Sequence, residues 1–197
     1  MSSKDLILGR VRAALGAGGE PVVVPRDYRR GGSVADLDLL VERLMDYQAV
    51  VHRTDDVAGV VGKTLFPRAE LLVPPGVDLS WLPPTVSART DHGLEPAQIA
   101  AADGVLTAAT VAVAETGTIV LDGSPDQGRR IISLLPDLHI CVVRPEQVVA
   151  SVPEALARLD PRRPLTWISG PSATSDIELN RVEGVHGPRN LHVILLE

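Results

Sequence analysis

Between Gly104 and Gly123 the chain reads GVLTAATVAVAETGTIVLDG, two runs of β-branched and small residues on either side of Glu115-Thr116-Gly117. β-Branched side chains are stiff at χ1 and pack well on a pleated surface, and a glycine supplies the positive φ of a tight turn. The stretch therefore reads as a β-hairpin whose tip presents Glu115, Thr116, Gly117 and Thr118. A hairpin alone cannot hide its apolar faces, so the rest of the chain has to cover them.

The flanking sequence supplies that cover by alternating strand-like and helix-like stretches. AVVHR, ELLVPP, HICVV, LTWIS and LHVILL read as strands. Ser33 reads as the N-cap of a helix carrying Leu37, Leu40, Val41 and Leu44, and Asp55 or Asp56 as the cap of a helix reaching Leu65. Further helices are expected from Pro96 to Ala102, Pro145 to Leu159 and Asp176 to Val182, with a helix-like stretch from Gln127 to Leu134. Val77 to Leu94, with its prolines and Trp81, reads as an irregular covering segment. Such alternation implies an α/β domain, a mainly parallel sheet flanked by helices, to which the β-hairpin is added. Near the start, Ile7, Val11, Ala14 and Leu15 share one helical face before GAGGEPVVVP interrupts the pattern. The expected organisation is a short N-terminal helical appendage with a glycine-rich tether over 1–32 and the α/β domain over 33–197.

Composition removes several classes of function. A chain of 197 residues with 45% hydrophobic residues can bury one core. Its formal net charge of -6 argues against general nucleic-acid binding, and the cluster Arg26, Arg29, Arg30 is too small to reverse that. Cys141, the only cysteine, excludes an internal disulfide and cannot by itself ligate an iron-sulfur cluster; within HICVV it reads as a small buried hydrophobe. No membrane-length apolar run or cleavable leader pattern is present, so a cytoplasmic protein without a membrane span is expected. His52, His92, His139 and His192 show no H-x-H or H-E-x-x-H spacing, so no metal site is expected. Gly62-Lys63-Thr64 matches only the tail of a phosphate loop, because Val57 stands where that loop needs its first glycine.

Ligands of open α/β sheets sit outside the carboxyl ends of the strands, and GPSATSDIE, Gly170 to Glu178, leaves LTWIS at such a point. Ser172, Thr174 and Ser175 would set hydroxyls beside the free N–H groups of a helix start, a combination that holds anions. The same letters also fit a plain helix cap, with Ser175 capping and Asp176 and Glu178 neutralising the dipole. In GVHGPR, His186 can move a proton near neutral pH, and Arg189 can either grip an anion through two parallel hydrogen bonds or pair with a surface acid. The candidate site is Glu115 and His186 for proton movement, with Thr116, Gly117, Thr118, Ser172, Thr174, Asp176 and Arg189 around a small anionic ligand. These three turns are expected to meet in one cleft.

AETGT followed by GPSATSDIE and GVHGPRNLHVILL, together with the early ILGRVRAAL, resembles the lactate utilization protein C family. These are LUD-domain proteins encoded with two iron-sulfur partners that support oxidation of L-lactate to pyruvate. The resemblance implies a fold similar to ribose-phosphate isomerases, glucosamine-phosphate isomerases and coenzyme A transferases. It also implies clusters held by the two partner subunits and no cofactor held by this chain, which would serve as a substrate-binding or catalytic subunit, or as a non-catalytic assembly subunit. Glu115 before its Gly-containing turn is loosely similar to the nucleophilic Glu of some coenzyme A transferases, which implies acyl transfer as a further alternative.

Overall fold

A computed structural model describes residues 2–16, 23–25, 34–174, 182–183 and 187–197. Its core is a six-stranded sheet in the order β1-β12-β7-β4-β2-β3, every neighbouring pair parallel. These strands are β1 Val50–Arg53, β2 Glu70–Val73, β3 Ser87–Thr90, β4 Gly104–Ala108, β7 Leu138–Val143 and β12 Asn190–Leu195. Because side chains alternate across a sheet, each interior strand feeds two cores. Leu71, Val73, Leu106, Ile140, Val142 and Ile194 meet Val57 and Val61 of α3 Val57–Thr64 on one face. Cys141, Val143, Val193 and Leu195 face the other way, toward Leu40 and Leu44 of α2 Leu37–Asp46. Fully burying those two leucines contributes about 2 kcal/mol each.

A second, four-stranded sheet lies on the α2 side. It is ordered β8-β5-β6-β9, from Val148–Val149, Val111–Val113, Thr118–Leu121 and Thr166–Ile168. Ala112, Ala114, Ile119 and Leu121 join the α2 core, while Val111, Val113 and Val120 turn outward to Ala155 and Leu159 under α5 Val152–Arg158. Leu72 and Val105 of the main sheet are covered by Ile99 of α4 Pro96–Ala100 and by Ile132. The architecture is thus α/β with a mainly parallel sheet, as expected. β5 and β6 form the hairpin, closed by a 3-10 turn Ala114–Thr116 and a left-handed Gly117.

Several local expectations are corrected. Asp36 caps α2, its carboxylate accepting the N–H groups of Asp38 and Leu39; Ser33 lies outside the described residues. The segment expected to be irregular contains β3, whose half-exposed SART lacks the apolar run that marks a strand because it is an edge. Gly104 to Val113 is not one hairpin arm: β4 belongs to the main sheet, and the chain crosses to the second after Ala109 and Thr110. The helix expected over Pro145 to Leu159 divides into a 3-10 turn, β8 and α5, because Val148 and Val149 pair with β5. Gln127 does not start a helix, since its side-chain oxygen accepts from the Asp122 N–H and the Thr110 hydroxyl; only Arg130–Ser133 forms a 3-10 turn. The helix expected from Asp176 falls on residues outside those described up to Val182, which with Glu183 forms β11 against β10 Ala173–Thr174. In α1 Ser3–Leu15 no residue is buried, and Leu6, Ile7, Val11 and Leu15 are exposed.

Candidate functional site

Strand β9, which leads into Gly170, is antiparallel to β6 and belongs to the second sheet. The strand-exit rule for parallel sheets therefore does not apply to GPSATSDIE. Its first residues instead form the wall of a cleft of about 240 Å3 between the two sheets, at the amino ends of β7 and β12. Ser169, Gly170 and Ser172 line one side, Gly187 and Pro188 another, and His139, Leu191, Ser133 and Thr166 complete it. The two loops are tied directly, for the Ser172 N–H donates to the Pro188 carbonyl at 2.7 Å. Gly170 takes a φ of 80° with its backbone against Tyr47, just beyond α2, so the loop is anchored from behind.

The hairpin tip reaches this cleft only through hydroxyls. Thr116 donates to Thr118 at 2.8 Å, and Thr118 lies 2.8 Å from the Ser169 hydroxyl on the cleft wall. Glu115 and Thr116 themselves line a separate recess with Arg43, Asp46 and Tyr47 of the α2 end. One Glu115 carboxylate oxygen accepts the Val152 N–H at the start of α5, 3.1 Å away. That contact holds two elements together. The three turns thus share a region of the molecule but not one cavity among the described residues. Thr174 lies in β10, whereas Asp176 and His186 lie outside the described residues, as do Ser175 and Glu178.

Arg189 has a partner from a loop that the sequence reading did not connect to it. Its Nε and Nη2 donate to the two carboxylate oxygens of Asp137 at 2.6 and 2.7 Å. The Asn190 N–H donates to the Asp137 carbonyl, so the entries to β7 and β12 are pinned side by side. The Arg189 hydrogen bonds hold the Asp137 carboxyl below its usual range. Both side chains are about half exposed. Arg189→Ala is accordingly expected to cost at most about 1 kcal/mol in urea denaturation, the upper range for an exposed pair; a loss several times larger would show that the pin carries the fold.

His139 is the group that sequence reasoning missed. Its side chain is fully buried, its Nε2 lies 2.8 Å from the Thr107 hydroxyl, and burial pushes its pKa down to about 4. The imidazole is therefore neutral at physiological pH, with one nitrogen able to donate and the other to accept. The signal was present as a lone histidine in the inward register of an otherwise apolar strand. His52 and His192 also pair, stacked with centroids 5.3 Å apart, because adjacent parallel strands juxtapose residues distant in sequence. No group of three or more metal-ligating side chains occurs among the described residues. No helix there is long and apolar enough to cross a membrane.

A family model for the LUD domain matches residues 91–196, the part of the chain that builds this cleft. Over 162 residues the chain is 47% identical to lactate utilization protein C of Deinococcus radiodurans, covering 79% of this chain and 76% of that one. It is 34% identical over 100 residues to lactate utilization protein C of Bacillus licheniformis, covering 47% of this chain but only 41% of that one. The fold is similar to the crystal structure of a DUF162 family protein from Deinococcus radiodurans, with a TM-score of 0.71 and 40% identity over 82% of this chain and 96% of that one.

Proposed function

We propose that this chain, which belongs to the lactate utilization protein C family of LUD-domain proteins, is the ligand-holding subunit of an L-lactate utilization system. In this reading the substrate-class ligand is a small 2-hydroxy or 2-oxo acid, and two iron-sulfur partner subunits carry the electrons. Oxidation of L-lactate to pyruvate releases two electrons and two protons. The only thiol of the sequence, Cys141, is buried and pushed up to about 12 by that burial, which fits cluster thiolates being supplied by such partners. The exposed apolar side chains of α1 offer those partners a docking face.

The observation that carries the reading is the cleft in which Ser172, the Gly187-Pro188 turn and a neutral buried His139 meet. Short hydroxyls and a fixed neutral imidazole can supply hydrogen bonds to both the carboxylate and the C2 oxygen of such an acid. Thr116, Gly117 and Thr118 shape the wall through Ser169, Arg189 fixes the loop through Asp137, and Glu115 braces α5. These are positioning roles rather than ligand contacts. The test is thermal unfolding of the purified chain with L-lactate or pyruvate. A ligand at 100 times its dissociation constant adds about 2.7 kcal/mol of stability. Ser172→Ala is expected to weaken that response about tenfold in ligand concentration. No shift with either acid, together with undiminished growth on L-lactate after deletion of the chain, would remove the proposal.

A further inference from the structure

At the opposite end of the main sheet lies a second concavity, of about 570 Å3, bordered by Pro75 just beyond β2 and Asp91 just beyond β3. This is the carboxyl edge of the parallel strands, where open α/β sheets hold their ligands. Arg129, Arg130 and Arg163 all line it. We propose that this concavity binds the phosphate group of a small molecule, held by those three guanidinium groups.

Two of the arginines are set in place by buried acids. Asp91 accepts Nε and Nη2 of Arg129 at 2.7 and 2.6 Å, and Nη2 also donates to the Leu94 carbonyl. Asp91 is only 5% exposed and takes the N–H groups of Gly93 and Leu94 as well, so it cannot swing away. Arg163 donates through Nε to the Asp122 carbonyl at 3.0 Å, with Nη1 3.1 Å from the buried Asp122 carboxylate. Neither Nη1 of Arg129 nor Nη2 of Arg163 has a partner among the described residues. The Arg130 guanidinium forms no ion pair or hydrogen bond among the described residues, although it sits in the same wall; only its carbonyl is engaged, accepting from the Ser133 hydroxyl at 3.0 Å. The three guanidinium groups line one wall, with Asp91 and Asp122 paired to two of them and Glu95 acting on Arg129 from farther off.

The number and spread of these donors select the anion. A carboxylate is planar and is satisfied by a single guanidinium fork, which Asp91 already shows on Arg129. A phosphate presents oxygens in several directions and can accept from separate N–H edges at once. Arg130 and Pro164 also line a small cavity whose far wall, Ser133 and Thr166, is shared with the cleft over His139. That cavity is only about 10 Å3, room for no more than about one water, so the two concavities are neighbours rather than one continuous site.

Calorimetric titration of the full chain with inorganic phosphate and with glycerol 3-phosphate, at constant ionic strength, tests the assignment, with L-lactate as the carboxylate control. Saturable binding of one equivalent is expected, and Arg130→Gln should weaken it about tenfold without moving the melting temperature, since that side chain has no partner to lose. Tighter binding of glycerol 3-phosphate identifies a phosphate ester as the source, and tighter inorganic phosphate identifies the free ion; both support the site. Ser172→Ala should leave phosphate affinity unchanged, which separates this site from the cleft at the amino ends of the strands. Absence of saturable binding by either probe overturns the proposal. Equal competition by L-lactate, or unchanged affinity in both Arg130→Gln and Arg163→Gln, does so too.

Discussion

Replacing Gly170 by alanine is expected to destabilise the protein by about 2–4 kcal/mol, the sum of a left-handed backbone that alanine resists and a steric overlap. The φ of 80° lies where side chains are strained, and an added Cβ would stand 2.5 Å from the Tyr47 carbonyl oxygen and 2.6 Å from its Cβ. The neighbour cannot step back, because the end of α2 is closed by the Tyr47 N–H donating to the Arg43 carbonyl and the Gln48 N–H donating to the Met45 carbonyl. Gly62→Ala is the matched control. That glycine lies inside α3, its new Cβ would find only ordinary contacts from 3.5 Å outward, and helix propensity alone favours alanine by about 1 kcal/mol. Urea denaturation of the two variants should move in opposite directions. Equal, small changes would mean that the Gly170 loop is not held against α2.

Acid should cost the protein stability well before its carboxylates titrate. His139 has an unfolded value near 6.5 and a folded value of about 4, so the folded state refuses a proton that the unfolded chain accepts. The sign follows directly: this contribution is fully present above pH 6.5, falls as the pH drops through the window, and is spent below about 4. The difference amounts to about 3 kcal/mol by linkage. Asp91, Asp122 and Asp137 are all shifted below their ordinary 3.8, so their losses come at still lower pH. His52 and His192 are lowered as well, chiefly by burial, and contribute in the same direction. A His139→Gln variant isolates this effect: its stability should be flatter between pH 7 and 4 than that of the parent. Parallel curves would show that His139 is not the acid-labile group.

The parts of this molecule that follow from local pattern were legible in the sequence. Leu37, Leu40, Val41 and Leu44 recur at helical spacing, and α2 buries Leu40 and Leu44. The apolar runs at 138–143 and 190–195 are interior strands buried on both faces. Legibility ended where an element is defined by its neighbour. Val148-Val149 reads as helix among Pro145 to Leu159 until β5 lies beside it, and Ser87–Thr90 becomes a strand only as the partner of β2. The site divides in the same way. Turn chemistry marked the hairpin tip, the Gly170 loop and the Gly187-Pro188 turn. Nothing local linked Arg189 to Asp137, Thr118 to Ser169 or Thr107 to His139, for each pair spans two elements brought together by sheet order.

The position of β12 between β1 and β7 also orders events in time. Among the described residues the sheet partner of Val50–Arg53 lies in Asn190–Leu195, which a ribosome makes roughly 140 residues later. Until then β1 has an open ladder on both sides and β7 lacks one of its two neighbours. Closure across so long a stretch is entropically slow, and an unpaired strand edge invites association with other chains. Between the synthesis of β1 and that of β12 the nascent chain therefore carries these unpaired edges, and any association with other chains is favoured in that interval.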